Sequence, residues 1–76
     1  MQIFITGIAG FLGSNLADYY IQKGFDVSGC DNLVGGDLDN VHEKVIFHKA
    51  DCEDLNKMRE ITKNVDVVIH AAAYAH

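Results

Sequence analysis

Three glycines, Gly7, Gly10 and Gly13, fall at even three-residue steps in the stretch TGIAGFLGSN, residues 6–15. No other feature of the chain restricts its fold so tightly. The run before them, Gln2-Ile3-Phe4-Ile5, is short and β-rich and reads as a buried parallel strand ending at Thr6. After them, Leu12, Leu16 and Tyr20, flanked by Ala17 and Ile21, recur at three- and four-residue spacing. That spacing predicts a helix with one packed face over residues 12–23. Lys23 in its last turn and Gly24 just beyond form a stop signal. Between strand and helix the glycines have three distinct jobs: Gly7 turns the chain sharply, Gly10 admits a ligand close to the backbone, and Gly13 lets the helix pack on the strands.

The pattern then repeats. Residues 25–30 read as a second strand ending at Asp31, and residues 32–40, with Gly35 and Gly36, as a loop with one helical turn near residues 38–42. A third strand is expected at 45–48, running through Lys49 and Ala50 to Asp51. Leu55, Met58, Ile61 and Thr62 mark a second helix, with Asp54 as its N-cap and Asn64 at its end. Residues 65–71 complete a fourth strand. Alternating strands and helices imply an α/β fold with parallel pairing and right-handed crossovers. The expected architecture is the N-terminal half of a Rossmann doubly wound parallel sheet, strand order 3-2-1-4. Because the chain stops just after its most hydrophobic strand, residues 1–76 are expected to be the first part of a larger domain.

Composition narrows the function classes. A net charge of −5, with six scattered Lys and Arg, argues against a nucleic-acid partner. No stretch approaches the ~20 apolar residues that cross a bilayer, and no basic segment marks a signal peptide. Cys30 and Cys52 lack metal spacing and read as free thiols of a reducing cytoplasm. His42, His48, His70 and His76 match no ligand pattern, so no metal is expected.

The candidate site follows from the strand ends. A helix N-terminus offers unpaired N–H groups and a partial positive charge, so a pyrophosphate is the expected occupant of the glycine turn. Asp31 ends the second strand, where a carboxylate can accept both hydroxyls of an adenosine ribose and repel a 2′-phosphate. No Arg or Lys lies between Asp31 and Val41 to offset that repulsion, which favours NAD over NADP. Asp51 and Cys52 follow the third strand, where an adenine edge would lie; a loop or helix-capping role for Asp51 stays open. Ala71, Ala72 and Ala73 follow the fourth strand and leave room for a ligand at the sheet's C-terminal edge.

These residues, Thr6-Gly7-Ile8-Ala9-Gly10-Phe11-Leu12-Gly13, then Asp31-Asn32-Leu33 with Gly36, then Asp51, then Val68-Ile69-His70-Ala71-Ala72, closely resemble the extended short-chain dehydrogenase/reductase superfamily. Within it the match is to the NAD-dependent epimerase/dehydratase group acting on nucleotide sugars, over essentially the whole chain. The resemblance implies that Gly7, Gly10, Phe11 and Leu12 meet the pyrophosphate; a core role for Phe11 is the alternative. It implies that Asp31 and Asn32, beside the 33–36 loop with Gly36, hold the adenosine ribose. Asp51 and Cys52 would meet the adenine, and Ala71, Ala72 and Ala73 would wall the ribose and nicotinamide. It further implies transient oxidation of a sugar carbon by bound NAD, a homodimeric full-length protein, and a catalytic tyrosine with a lysine four residues on. That pair belongs to a later helix in the family. The literal match here, Tyr19 and Lys23, lies on the helix that starts at the phosphates, with its far end directed away from the nicotinamide, and reads as ordinary helix surface. His70 reads as structural. The segment alone is therefore expected to bind cofactor and catalyse nothing. Two other readings are a steroid- or flavonoid-type reductase of the same superfamily and a non-catalytic dinucleotide-binding regulatory protein.

Overall fold

In a computed structural model, residues 1–72 are described. Four parallel strands, β1 (Gln2–Thr6), β2 (Asp26–Asp31), β3 (Ile46–Lys49) and β4 (Val67–His70), form one sheet in the order β3-β2-β1-β4. Helix α1 (Phe11–Gln22) links β1 to β2, and α2 (Leu55–Ile61) links β3 to β4. A single 3₁₀ turn at Leu38–Asn40 interrupts the β2–β3 connection. The architecture is the α/β, 3-2-1-4 sheet expected from the sequence.

Side chains alternate across β1. Ile3 and Ile5 face α1 and form the core with Ile8, Ala17 and Val27. Burying an aliphatic side chain contributes about 1.5–3 kcal/mol, so this cluster does most to fix α1 on the sheet. Phe4, on the other face, is also fully buried. There Met58 of α2 brings its sulfur to 3.9 Å from Cys30 Sγ.

Element boundaries differ by a residue or two from the sequence pattern, because turns claim particular amides. The Phe25 N–H closes α1 on the Tyr20 carbonyl at 3.0 Å, so β2 begins at Asp26. Gly24, at φ +90°, donates to Ile21 in the same glycine-terminated motif, while the Phe25 and Tyr20 rings meet edge-on at 5.8 Å. The Val45 N–H bonds His42 and delays β3, and the Val65 N–H bonds Thr62 and delays β4. Asp54 caps α2 by accepting the Lys57 N–H at 3.2 Å.

Cys30, buried in β2, has its thiol pushed up to about 11 by burial first and by the nearby Cys52 and Asp31 second. The folded state therefore keeps a proton that the unfolded thiol, with its ordinary value of 9.0, releases earlier. Stability is expected to fall as pH rises from about 9 through about 11. Urea unfolding of Cys30→Ser should show a shallower decline over that range; an unchanged slope would contradict the assignment. Gly13 yields a second expectation. A Cβ there would strike the Gly7 carbonyl oxygen and come within 2.9 Å of Ile8 Cα, all rigid backbone. The gain in helix propensity from alanine, about 1 kcal/mol, is outweighed by overpacking of typically 1–3 kcal/mol. Gly13→Ala should thus lower the unfolding midpoint, measured by thermal denaturation of the intact protein.

Candidate functional site

At the C-terminal edge of the sheet the strand ends open onto a groove of about 490 Å³. The glycine turn contributes Gly7, Gly10, Phe11 and Leu12; the end of β2 contributes Asp31 and Asn32. The connection after β3 adds Asp51 and Cys52, and the segment after β4 adds Ala71 and Ala72. One cavity thus gathers predicted residues from four strand ends. Ala73 lies outside the described residues. Gly36 is not among the residues lining the groove. A Cβ there would sit 2.8 Å from the Ala9 carbonyl carbon, so its smallness serves the closing of the loop onto Ala9. Gly35, read from the sequence as a loop glycine beside the ribose but not as a site residue, does line the groove.

The turn is built around one carbonyl. Gly7 adopts φ +70°, with Ala72 so close that a Cβ would fall 2.7 Å from its Cα. The Gly7 and Ile8 N–H groups both donate to the Cys30 carbonyl, at 2.8 and 3.2 Å, which hangs the turn on the end of β2. Gly10 follows in ordinary extended torsions, φ −83° and ψ 174°, and is the N-cap of α1 with no side chain capping the helix. Ser14 makes the first intrahelical bond back to Gly10, so the N–H groups of Phe11, Leu12 and Gly13 have no carbonyl within the helix. No acidic residue occupies the first turn. The helix start is therefore electropositive and able to accept an anion.

Phe11 and Leu12 are 85% and 58% exposed and take no part in the core that the described residues form. The Asp31 carboxylate is buried. Its Oδ2 accepts the Ala9 N–H at 3.0 Å and its Oδ1 the Leu33 N–H at 2.8 Å. Each oxygen keeps a second lone-pair site for a ligand hydroxyl. Leu33 stands at φ +66°, a region costly for a branched side chain, and is held there by that bond and by Asn32 Oδ1 accepting the Val34 N–H at 3.0 Å. Asp51 does take a loop role: Oδ1 accepts the Glu53 N–H at 2.9 Å. Its other oxygen has no bond of this kind among the described residues. Parallel register sets Lys49 beside Asp31, a cation that counting along the β2–β3 loop did not reveal; it is exposed and does not line the groove.

His70 Nδ1 lies 2.8 Å from Thr6 Oγ1, which also accepts the Ala72 N–H at 3.3 Å. Its role is to join β4 and the alanine segment to β1. Tyr19 and Lys23 sit at the other end of α1, with the ammonium 5.4 Å from the ring centre, as a surface pair. Among the described residues no three His, Cys, Asp or Glu side chains gather as a metal set, and no helix is long and apolar enough to cross a membrane.

Comparison with known proteins bears directly on this geometry. The sequence profile of the NAD dependent epimerase/dehydratase family matches residues 3–76. A Streptococcus mutans UDP-glucose 4-epimerase is 38% identical over 99% of this chain. The Thermotoga maritima UDP-glucose 4-epimerase, solved with UDP-glucose, superposes with a TM-score of 0.94 at 36% identity over 99% of this chain. The Thermus thermophilus UDP-glucose 4-epimerase, solved with NAD, gives 0.90 at 32% identity over 99%. This chain spans only about a quarter of the length of each: 24% of the first, 25% of the second and 25% of the third. Strand order, glycine turn and a match over nearly all its residues lead to one conclusion: the chain belongs to the NAD-dependent epimerase/dehydratase family.

Proposed function

We propose that the chain forms the adenosine-diphosphate side of the NAD site in a nucleotide-sugar epimerase or dehydratase that transiently oxidises a sugar carbon by hydride transfer. The family match and the NAD-bound Thermus neighbour support the cofactor. The UDP-glucose-bound Thermotoga neighbour supports the substrate class.

The observation that carries this reading is at Gly10. Its torsions suit any residue, and a Cβ would meet only the Gly7 carbonyl, at 3.3 Å. The fold asks only that this one carbonyl give by a few tenths of an ångström, whereas a ligand lying against the backbone demands glycine outright. The residues present fit a dinucleotide. Unpaired amides of the first turn of α1 receive the pyrophosphate, each charge–dipole contact contributing roughly 0.3–1 kcal/mol when exposed. Asp31 accepts the ribose hydroxyls on its free lone pairs. Asp51 presents its unused oxygen to the adenine amine beside Cys52. Ala71 and Ala72 keep the wall beyond β4 low. When bound, NAD supplies a hydride acceptor that later returns what it took. This chain's residues hold and orient its adenosine end.

Two outcomes check the proposal. Gly10→Ala in the intact protein should weaken NAD binding about tenfold or more by calorimetric titration, a loss of about 1.4 kcal/mol, while the unfolding midpoint without cofactor scarcely moves. Undiminished affinity in the folded variant would remove the glycine turn as the phosphate site. The intact protein incubated with UDP-glucose should yield the C4 epimer or a dehydrated keto sugar without net consumption of NAD. If no UDP- or dTDP-linked hexose is turned over, the enzyme reading fails.

A further inference from the structure

Four hydrogen bonds converge on the peptide groups either side of Ala9, a residue with no exposed surface between the first two glycines. Its N–H donates to Asp31 Oδ2 at 3.0 Å. Its carbonyl accepts two donors, the Asp37 N–H and Asn40 Nδ2, each at 3.1 Å. Gly10, whose N–H belongs to the same peptide plane as that carbonyl, donates to Gly7 at 3.1 Å. Asn40 belongs to the 3₁₀ turn and does not line the groove.

We propose that Asn40 is a positioning residue for the pyrophosphate site. Its side-chain amide fixes the Ala9–Gly10 peptide plane from outside the groove, and that plane sets the direction in which α1 begins. The proposal rests on the dinucleotide reading and names the residue that orients its phosphate end. A peptide unit is rigid and turns as a body, so a second donor on its carbonyl suppresses rocking about the line through its other two bonds, from Asp37 and to Gly7. Without Asn40 only the Asp37 N–H holds the oxygen. The amides of Phe11 and Leu12 follow Gly10 directly and inherit any tilt. The ribose end has anchors of its own: Asp31 accepts the Leu33 N–H and Asn32 the Val34 N–H, and the bond from Ala9 to Asp31 is made by the preceding Ile8–Ala9 peptide, which Asn40 does not touch. Asn40 therefore matters to ligands carrying a diphosphate and not to the nucleoside alone.

The test is titration of the cofactor-stripped intact protein with NAD, ADP and adenosine, adenosine by ligand-observed NMR, in wild type, Asn40→Ala and the similarly shaped Asn40→Leu. Removing one hydrogen bond of ordinary strength should raise the dissociation constants of NAD and ADP about three- to tenfold. That of adenosine should stay within about twofold. If Asn40→Ala does not fold, Asn40→Leu carries the same comparison. Equal weakening of all three ligands would mark Asn40 as a general loop support and overturn the proposal, as would undiminished NAD affinity in a folded variant. Wild-type protein that binds no NAD would instead overturn the dinucleotide reading itself.

Discussion

The carbonyl oxygen of Gly7 is the point about which this structure turns. It accepts the Gly10 N–H, and it lies where a side chain at Gly13 would have to pass. The placement of the first and third glycines is thus a consequence of geometry around one atom. The first glycine supplies a carbonyl turned by a positive φ, the second closes a turn on it, and the third lets the helix run past it. Gly13, which passes that oxygen, lies one turn before Ala17, which packs in the core with Ile3 and Ile5, so core and glycine turn share one constraint.

Parallel pairing does the rest of the assembly. Because β1, β2, β3 and β4 all run the same way, every strand delivers its last residues to one edge, and the groove is made of exits. Segments distant in sequence meet there without any long-range recognition of their own. The end of β2 is the best example. Its Cys30 carbonyl holds the Gly7 and Ile8 amides while the next residue, Asp31, holds Ala9. Two consecutive residues thus support the turn from below and leave its upper side to the ligand.

Much of this was legible in the sequence, for identifiable reasons. Hydrophobic periodicity and punctuation by Gly, Asp and Asn are local signals, so β1, both helices, the cap at Asp54 and the strand order could be read directly. Boundaries slipped where a turn bond captured an amide, as at Phe25 and Val65. The loop after β2 was least readable. Gly36 resembles a ligand glycine, yet what it touches is Ala9, far away along the chain. Asn40 carries no signal at all, since an asparagine in a polar loop has many uses and only three-dimensional contact shows which applies. The left-handed torsion of Leu33 is similarly invisible, because nothing about leucine suggests it.

The two amides on the Asp31 carboxylate have a bearing on protein engineering. Exchanging this acid for a neutral or basic residue is the obvious route to accommodating a phosphorylated ribose. Here that exchange would also cut the tether to Ala9 and release Leu33 from its unfavourable backbone angle. A redesign that widens cofactor choice must therefore supply new acceptors for both amides, or relieve the strained leucine with a glycine or asparagine. Otherwise the altered pocket would lose the rigidity that those two bonds confer.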